Sequence, residues 1–373
     1  MSFLYLHSEK RIFGLDLMRA VAILMVLSSH LLWIYPPDNG IITQVFQLFG
    51  YLGVEIFFVL SGFLIGRIVY RLYLQDDFTI SSVLYFLKRR WFRTLPNYYL
   101  VLLITILISF IVGYSIQEGW KYFFFLQNFA SPMLPFFTES WSLSVEEFAY
   151  LLFPIALFLK TLLVKPINKS RFFLYVVIGF IFFFFFAKVW YAFTTPPTTI
   201  NQWNLGLKAV VIYRLDAIFL GVLFSWLSLN FTVFWIKSKY VMAVLGLFLF
   251  GFLFAGVGYF QLTFASFPLF WVIFYLPLTS LTFALFLPFL AEWKTVHLAY
   301  IRKPIVFISV ISYSVYLLHY GVVLQLMKHF FNTEGLSLHQ LHFYTFIYLI
   351  ITFFLSTLLY KFYEKPMMDL RDK

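Results

Sequence analysis

The chain has 373 residues, of which 62% are hydrophobic and 12% charged, and its formal net charge is +11. So little charge excludes a soluble domain of this size, and many apolar stretches reach the roughly 20 residues that cross a bilayer. The absence of cysteine excludes disulfides, thiolate metal sites and a cysteine acyl-enzyme.

The apolar stretches predict an all-α, polytopic transmembrane helical bundle that forms a single integral membrane domain over residues 1–373. A cleavable signal peptide is not expected, because the N-terminal segment is short and polar and the first apolar stretch leads into further spans. We expect about ten spans, at 12–34, 49–70, 96–114, 141–163, 172–193, 208–228, 240–258, 266–290, 304–327 and 343–361.

The basic residues orient this predicted bundle. With the N-terminus in the cytoplasm, 21 of the 27 lysines and arginines fall in cytoplasmic segments, and only Lys121 and Lys328 fall in outer loops. Such a bias predicts that both termini are cytoplasmic and that the protein lies in the cell inner (cytoplasmic) membrane. The positive charge then requires no nucleic-acid partner.

The first span contains Arg19 and His30. Eleven helical positions bring the two side chains to within roughly 20° of one face and about 16 Å apart along the axis. An arginine inside a span usually faces the bundle interior, and histidine is well suited to moving a proton near neutral pH. The pair indicates a functional channel along this face. Structural pairing of Arg19 with Asp16, beside a wetted histidine, is the alternative.

Arg90 and Arg93 begin the third span, in the segment KRRWFRTLP. Residues three apart lie on one helical face, so the two guanidinium groups can hold one anion together. The alternative is an ordinary positive-inside cluster that contacts anionic lipid.

Further polar side chains are predicted to meet near the outer face, at about the depth of His30. Ser142 and Glu146 share a face of the fourth span, and a carboxylate there, Glu146 or its neighbour Glu147, would orient the histidine. The other spans contribute Glu55, Arg214, Asp216 and His319.

This order of charges suits a phosphate-bearing donor that is threaded from the cytoplasm toward an acceptor outside. Acyl-CoA fits, because its thioester needs only a general base on the acceptor hydroxyl and stabilisation of the oxyanion. It would be a co-substrate, with no cofactor bound permanently. No metal is expected either, since the seven histidines are scattered without ligand spacing.

The Arg19–His30 spacing and a series of further segments resemble the acyltransferase-3 family of integral membrane acyltransferases. The resemblance implies transfer of an acyl group, commonly acetyl, from cytoplasmic acyl-CoA to an extracytoplasmic glycan or lipid-linked saccharide. It implies that His30 is the catalytic base, that Arg19, Arg90 and Arg93 serve the donor, and that Glu146 belongs to the active site. We assign Glu55, Arg214, Asp216 and His319 to donor or substrate binding. The segments are GVEIFFVLSGFLIG, RRWFR, SWSLSVEEFAYLLFP, YRLDAIFLG, ISYSVYLLHYG and YEKP.

The chain departs from the family pattern in two ways. Glu55 stands where the family often has aspartate, and the sequence ends ten residues after Tyr363, without the hydrolase-like domain that some members carry. We therefore expect a separate periplasmic or extracellular partner, or none. A transporter or flippase for a lipid-linked sugar or anionic solute is the main alternative function, and a membrane scaffold is another. The lack of a convincing internal repeat weighs against a transporter.

Overall fold

The computed structural model describes residues 11–38, 40–164 and 166–370, and within these ranges the regular structure is helical. Both chain ends, which we expect to be cytoplasmic, lie outside the described residues. So do four of the basic residues in the charge pattern, Lys10, Lys165, Arg371 and Lys373.

The helices are α1 (Phe13–Leu31), α2 (Ile41–Tyr73), α3 (Ile80–Val112), α4 (Trp120–Phe123), α5 (Ser140–Leu163), α6 (Lys169–Thr194), α7 (Ile200–Trp203), α8 (Leu215–Asn230), α9 (Thr232–Gly251), α10 (Val257–Tyr259), α11 (Tyr275–Glu292), α12 (Ala299–Leu318), α13 (Gln325–Phe330), α14 (Leu338–Leu359) and α15 (Lys365–Leu370). A 3-10 turn lies at Val211–Tyr213, and π-helical turns lie at Asn204–Lys208, Phe252–Gly256, Phe270–Phe274, His319–Leu324 and Tyr360–Glu364.

Within the described ranges, nine helical stretches are long and apolar enough to cross a membrane, and α8 is a shorter apolar helix. Together they correspond one to one with the ten predicted spans, which confirms a polytopic all-α membrane protein. Four predicted starts were wrong. α2, α3 and α9 begin about two turns or more earlier, and α3 accommodates Pro96 in its interior. α8 begins only at Leu215, because π-helical and 3-10 turns occupy the preceding residues.

α2 lies at the centre of the bundle and packs against α1, α8 and α11. Its contact with α8 depends on two glycines. A Cβ atom on Gly62 would lie 1.9 Å from the carbonyl oxygen of Ile218, and one on Gly221 would lie 2.2 Å from that of Val59. The two backbones therefore touch directly, as small residues allow in membrane bundles.

The connection between α3 and α5 folds back onto the bundle. The Asn128 amide donates to the carbonyl oxygens of Trp141 and Ala209, at 2.9 and 2.6 Å. The Gln127 amide donates to the hydroxyls of Ser140 and Ser144, at 3.0 and 2.7 Å. These bonds hold the start of α5 in place.

Candidate active site

An internal cavity of about 110 Å³, here called the inner cavity, lies among α1, α2, α3, α5 and α12. Its charged lining consists of Arg19, Arg90, Arg93 and Glu146. Ser142 lines it as well, so Ser142 and Glu146 share a face as predicted. The charged groups of three helices, α1, α3 and α5, therefore surround one space within the bundle.

A second cavity, about 410 Å³, opens where α2 ends and α3 begins. We call it the arginine mouth, because Arg71, Arg89, Arg90 and Arg93 line it. Arg90 and Arg93 also line the inner cavity, so the two spaces meet at this pair. An anion entering the mouth is attracted by several guanidinium groups before it reaches the bundle interior.

Arg19 is paired with Asp16, as the structural alternative predicted, and its role in a functional channel stays a prediction. Its Nη1 atom lies 3.6 Å from Oδ1 of Asp16 and donates to the Ser309 hydroxyl at 3.2 Å. The Ser309 hydroxyl donates in turn to Asp16 at 2.7 Å. These contacts fix the guanidinium group while it lines the inner cavity. Arg19 is thus structurally paired and also exposed to whatever occupies that space.

The two carboxylates of α5 have different partners from those expected. Glu146 accepts a hydrogen bond from the Tyr150 hydroxyl at 2.8 Å, and Glu147 accepts one from Thr94 at 2.6 Å. Neither makes a described contact with His30. The expectation that one of them orients the histidine was wrong, because α5 turns Glu146 toward the arginines of the inner cavity.

His30 instead contacts His319, across the interface of α1 with the end of α12. Nε2 of His319 lies 3.2 Å from Nδ1 of His30, and the ring centroids are 4.7 Å apart. Nδ1 of His319 faces the carbonyl oxygens of Val315 and Tyr316, at 3.2 and 2.7 Å. That nitrogen must carry the proton, so its Nε2 accepts a hydrogen bond from His30.

The tautomer of His30 follows from the same contacts. Its Nδ1 faces both His319 Nε2 and the carbonyl oxygen of Val26, the latter at 3.0 Å. Both are acceptors, so Nδ1 of His30 bears the proton. The lone pair is then on Nε2, which has no hydrogen-bond partner among the described residues. The histidine pair therefore presents one free basic nitrogen.

Tyr316 separates the inner cavity from the two histidines. Its hydroxyl donates to the carbonyl oxygen of Glu139 at 2.9 Å and lies 2.7 Å from the Ser142 hydroxyl. Its ring lines the cavity and lies 5.7 Å from that of His319. Because the tyrosine proton is committed to Glu139, Ser142 is the donor to Tyr316. The cavity and the histidine pair are thus one side chain apart.

Glu55, Arg214 and Asp216 lie away from this route. Arg214 pairs with Glu55, its Nη2 lying 2.7 Å from Oε2, and Lys188 pairs with Asp216. All four side chains are buried, and none lines the inner cavity or the arginine mouth. Buried ion pairs of this kind join α2 and α6 to α8. Donor or substrate binding by Glu55, Arg214 or Asp216 stays a prediction.

The pairing of His319 with His30 was the contact within the candidate site that sequence reasoning missed. The two residues are 289 positions apart, and no local pattern links them. The available signal was that both lie in spans predicted to bring them toward the outer face. Helix rotation decides which side chains meet there, and it depends on packing.

Comparison with known proteins identifies the family to which the chain belongs. The family model described as "Acyltransferase domain", of the acyltransferase-3 type, matches residues 12–361. The chain therefore belongs to this family, and the predicted resemblance is confirmed. No solved structure gives a significant match.

Two relatives show the extent of the similarity. Peptidoglycan O-acetyltransferase OatA of Listeria monocytogenes is 26% identical over 189 residues, covering 46% of this chain and 28% of the relative. A Bacillus subtilis protein provisionally named peptidoglycan O-acetyltransferase YrhL is 33% identical over 165 residues, covering 39% of this chain and 23% of the relative. The aligned part of the chain thus spans about a quarter of the relatives' lengths.

Proposed function

We propose that the protein transfers an acetyl group from cytoplasmic acetyl-CoA to a hydroxyl of a cell-wall glycan on the outer side of the cytoplasmic membrane. The observation that carries this proposal is the route along α1. The arginine mouth meets the inner cavity at Arg90 and Arg93, Arg19 lies inside, and His30 stands at the far end of the helix. Membership of the acyltransferase family supports the same reaction.

The arginine mouth suits the phosphates of CoA. Guanidinium groups bind phosphate oxygens through paired hydrogen bonds and stay charged at any physiological pH. The uncharged pantetheine arm would extend past Arg19 through the inner cavity. The thioester at its end would then lie toward Tyr316 and the histidines. The positive-inside bias supports a cytoplasmic location for the mouth.

The free Nε2 of His30 supplies the base. It removes the proton from the acceptor hydroxyl while the hydroxyl oxygen attacks the thioester carbonyl carbon. The tetrahedral intermediate collapses with cleavage of the carbon–sulfur bond, and the proton on Nε2 passes to the departing thiolate. The products are an O-acetyl ester and CoA, and the imidazole returns to its neutral form.

The acceptor class comes from the relatives, of which OatA is named a peptidoglycan O-acetyltransferase. The test is acetyl transfer from radiolabelled acetyl-CoA to soluble peptidoglycan strands by the purified protein in lipid nanodiscs. We expect a base-labile ester with the wild type and with His297→Ala, an exposed histidine outside the route. His30→Ala should form none. Ester formation at the wild-type rate by His30→Ala would refute the role of His30.

A further inference from the structure

A third cavity, about 350 Å³, lies at the His30 end of the bundle, and neither the donor route nor the proton transfer uses it. We call it the Glu139 cavity. Among the residues that line it are Thr105, Tyr114, Thr138, Glu139, Tyr320 and Gln325.

The buried carboxylate of Glu139 is the unusual feature of this cavity. Its side chain is only 4% exposed, and Oε1 accepts a hydrogen bond from the backbone N–H of Gly321 at 2.8 Å. Within the described part of the chain, Oε2 is buried without a hydrogen-bond partner, and no lysine, arginine or histidine there pairs with the carboxylate. A buried carboxylate oxygen without a donor is costly. A ligand that donates a hydrogen bond to Oε2 would remove this cost.

The lining also limits the chemistry of the ligand that could supply this hydrogen bond. None of the described lysines or arginines lines the cavity, so an anion would find only repulsion from Glu139. The lining combines hydroxyl and amide side chains with the rings of Tyr114 and Tyr320, a mixture that suits a ligand with several hydroxyls and an apolar face. An uncharged sugar ring has both features. Burial also raises the pKa of Glu139 to about 7, which suits neutral hydroxyl partners.

Tyr320 connects this cavity to the base. Its ring lines the cavity and lies 4.8 Å, centroid to centroid, from the ring of His30. Gly321, whose N–H fixes Glu139, is the next residue and belongs to the π-helical turn that begins at His319. A ligand held by Glu139 is therefore one aromatic ring away from the histidine pair.

We propose that the Glu139 cavity binds the acceptor as an uncharged saccharide unit, with Oε2 of Glu139 accepting a hydrogen bond from one sugar hydroxyl. Another hydroxyl of the same glycan is thereby brought past Tyr320 to Nε2 of His30. Glu139 is a positioning residue, because it acts on the glycan without taking part in the proton transfer. The use of the bound sugar as acceptor rests on the proposed function, whereas the binding itself does not.

Binding is tested without any acetyl donor. The probe is the uncharged N-acetylglucosamine tetramer, titrated into the purified protein in nanodiscs and followed by calorimetry. Glu139→Gln keeps an oxygen that can accept from Gly321 but places an NH₂ group where Oε2 was. We expect it to weaken binding by about tenfold to a hundredfold, the value of one hydrogen bond to a charged group.

Two further variants support the comparison. Glu118→Gln changes an exposed glutamate of the same connection that pairs with Lys121, and it should leave binding unchanged. Tyr114→Ala removes a partly exposed ring from the cavity and should also weaken binding, which covers the case in which Glu139→Gln does not fold. Equal affinities of the wild type, Glu139→Gln and Tyr114→Ala would overturn the proposal. So would preference for the protonated glucosamine tetramer over the acetylated one.

A kinetic measurement separates this inference from the proposed function. With peptidoglycan strands as acceptor, Glu139→Gln should raise the KM for the glycan about tenfold or more and leave the KM for acetyl-CoA unchanged. Wild-type glycan KM in this variant would overturn the Glu139 site alone. Glycan binding by a wild type that forms no ester would refute the proposed function alone.

Discussion

His30 can act as a base only while Nε2 keeps its lone pair, and His319 helps to hold it in that tautomer. The contact of 3.2 Å between the two rings fixes which nitrogen of His30 carries the proton. His319 is buried and has both ring nitrogens engaged, so it does not itself meet the acceptor. We assign it the role of a positioning residue.

We expect His319→Ala to lower kcat about tenfold while leaving the KM values for donor and acceptor nearly unchanged. The loss corresponds to one orienting hydrogen bond, and the remaining bond from His30 to Val26 limits it. Steady-state kinetics of purified protein measure this, with His297→Ala as the control. A large rise in either KM at unchanged kcat would instead indicate that His319 binds a substrate.

Glu146 lines the inner cavity and contacts Tyr150, whereas Glu147 contacts Thr94 and does not line that cavity. We therefore expect Glu146→Gln to change the KM for acetyl-CoA more than Glu147→Gln does. Neither contacts His30, so neither variant should shift the acid limb of the pH–rate profile. A shift of that limb to lower pH in Glu146→Gln would show that the carboxylate acts on the histidine after all.

Glu139 also predicts a dependence of stability on pH. Burial raises its pKa from 4.5 to about 7, so the folded protein holds this proton more tightly than the unfolded chain. The stability from this group is present at low pH and is lost as pH rises from about 4.5 to about 7, by about 3 kcal/mol. Glu139→Gln should therefore gain melting temperature relative to the wild type at pH 8, and much less at pH 5. Equal differences at both pH values would contradict the raised pKa.

At the scale of the helices, the packing of α2 against α8 positions α2, which lines the inner cavity. Gly62→Ala would place a methyl group 1.9 Å from a backbone oxygen of Ile218, so the helices must separate. We expect a fall in melting temperature and a loss of activity. Gly179→Ala is the matched control, because a Cβ there meets nothing within 4 Å. It should be neutral or slightly stabilising, since alanine is the better helix former.

The start of α3 supplies the donor contacts in the function proposed above. We expect the double variant Arg90→Gln, Arg93→Gln to weaken acetyl-CoA binding far more than binding of the N-acetylglucosamine tetramer, because the pair joins the arginine mouth to the inner cavity. Lys237→Gln, an exposed cation outside both cavities, is the control. If the correctly inserted double variant binds acetyl-CoA with unchanged affinity, Arg90 and Arg93 have a role in membrane topology alone.

Hydropathy was enough to predict the ten helices, because each span must be long and apolar wherever it packs. It did not predict where α8 begins, since Lys208 lies in a π-helical turn that looks helical in sequence. The shared face of Ser142 and Glu146 followed from helical spacing and was correct. The partners of His30 and Glu55 could not be predicted, because contacts between helices depend on their rotation and packing.

At the scale of the whole molecule, the arginine mouth, the inner cavity, the histidine pair and the Glu139 cavity follow one another through the bundle. Tyr316 stands between the inner cavity and His319, and Tyr320 stands between His30 and the Glu139 cavity. In the proposed reaction the donor and acceptor approach from opposite ends and never share an entrance. In that proposal only the acetyl group crosses the membrane, whereas a transporter would move a whole substrate.

Sealed proteoliposomes test that claim most directly. Peptidoglycan strands are enclosed inside, and radiolabelled acetyl-CoA is added outside to protein whose arginine mouth faces outward. The account predicts O-acetyl ester on the enclosed glycan and CoA outside, with neither produced by His30→Ala. Absence of ester together with escape of the glycan or entry of intact acetyl-CoA would contradict it and identify a transporter.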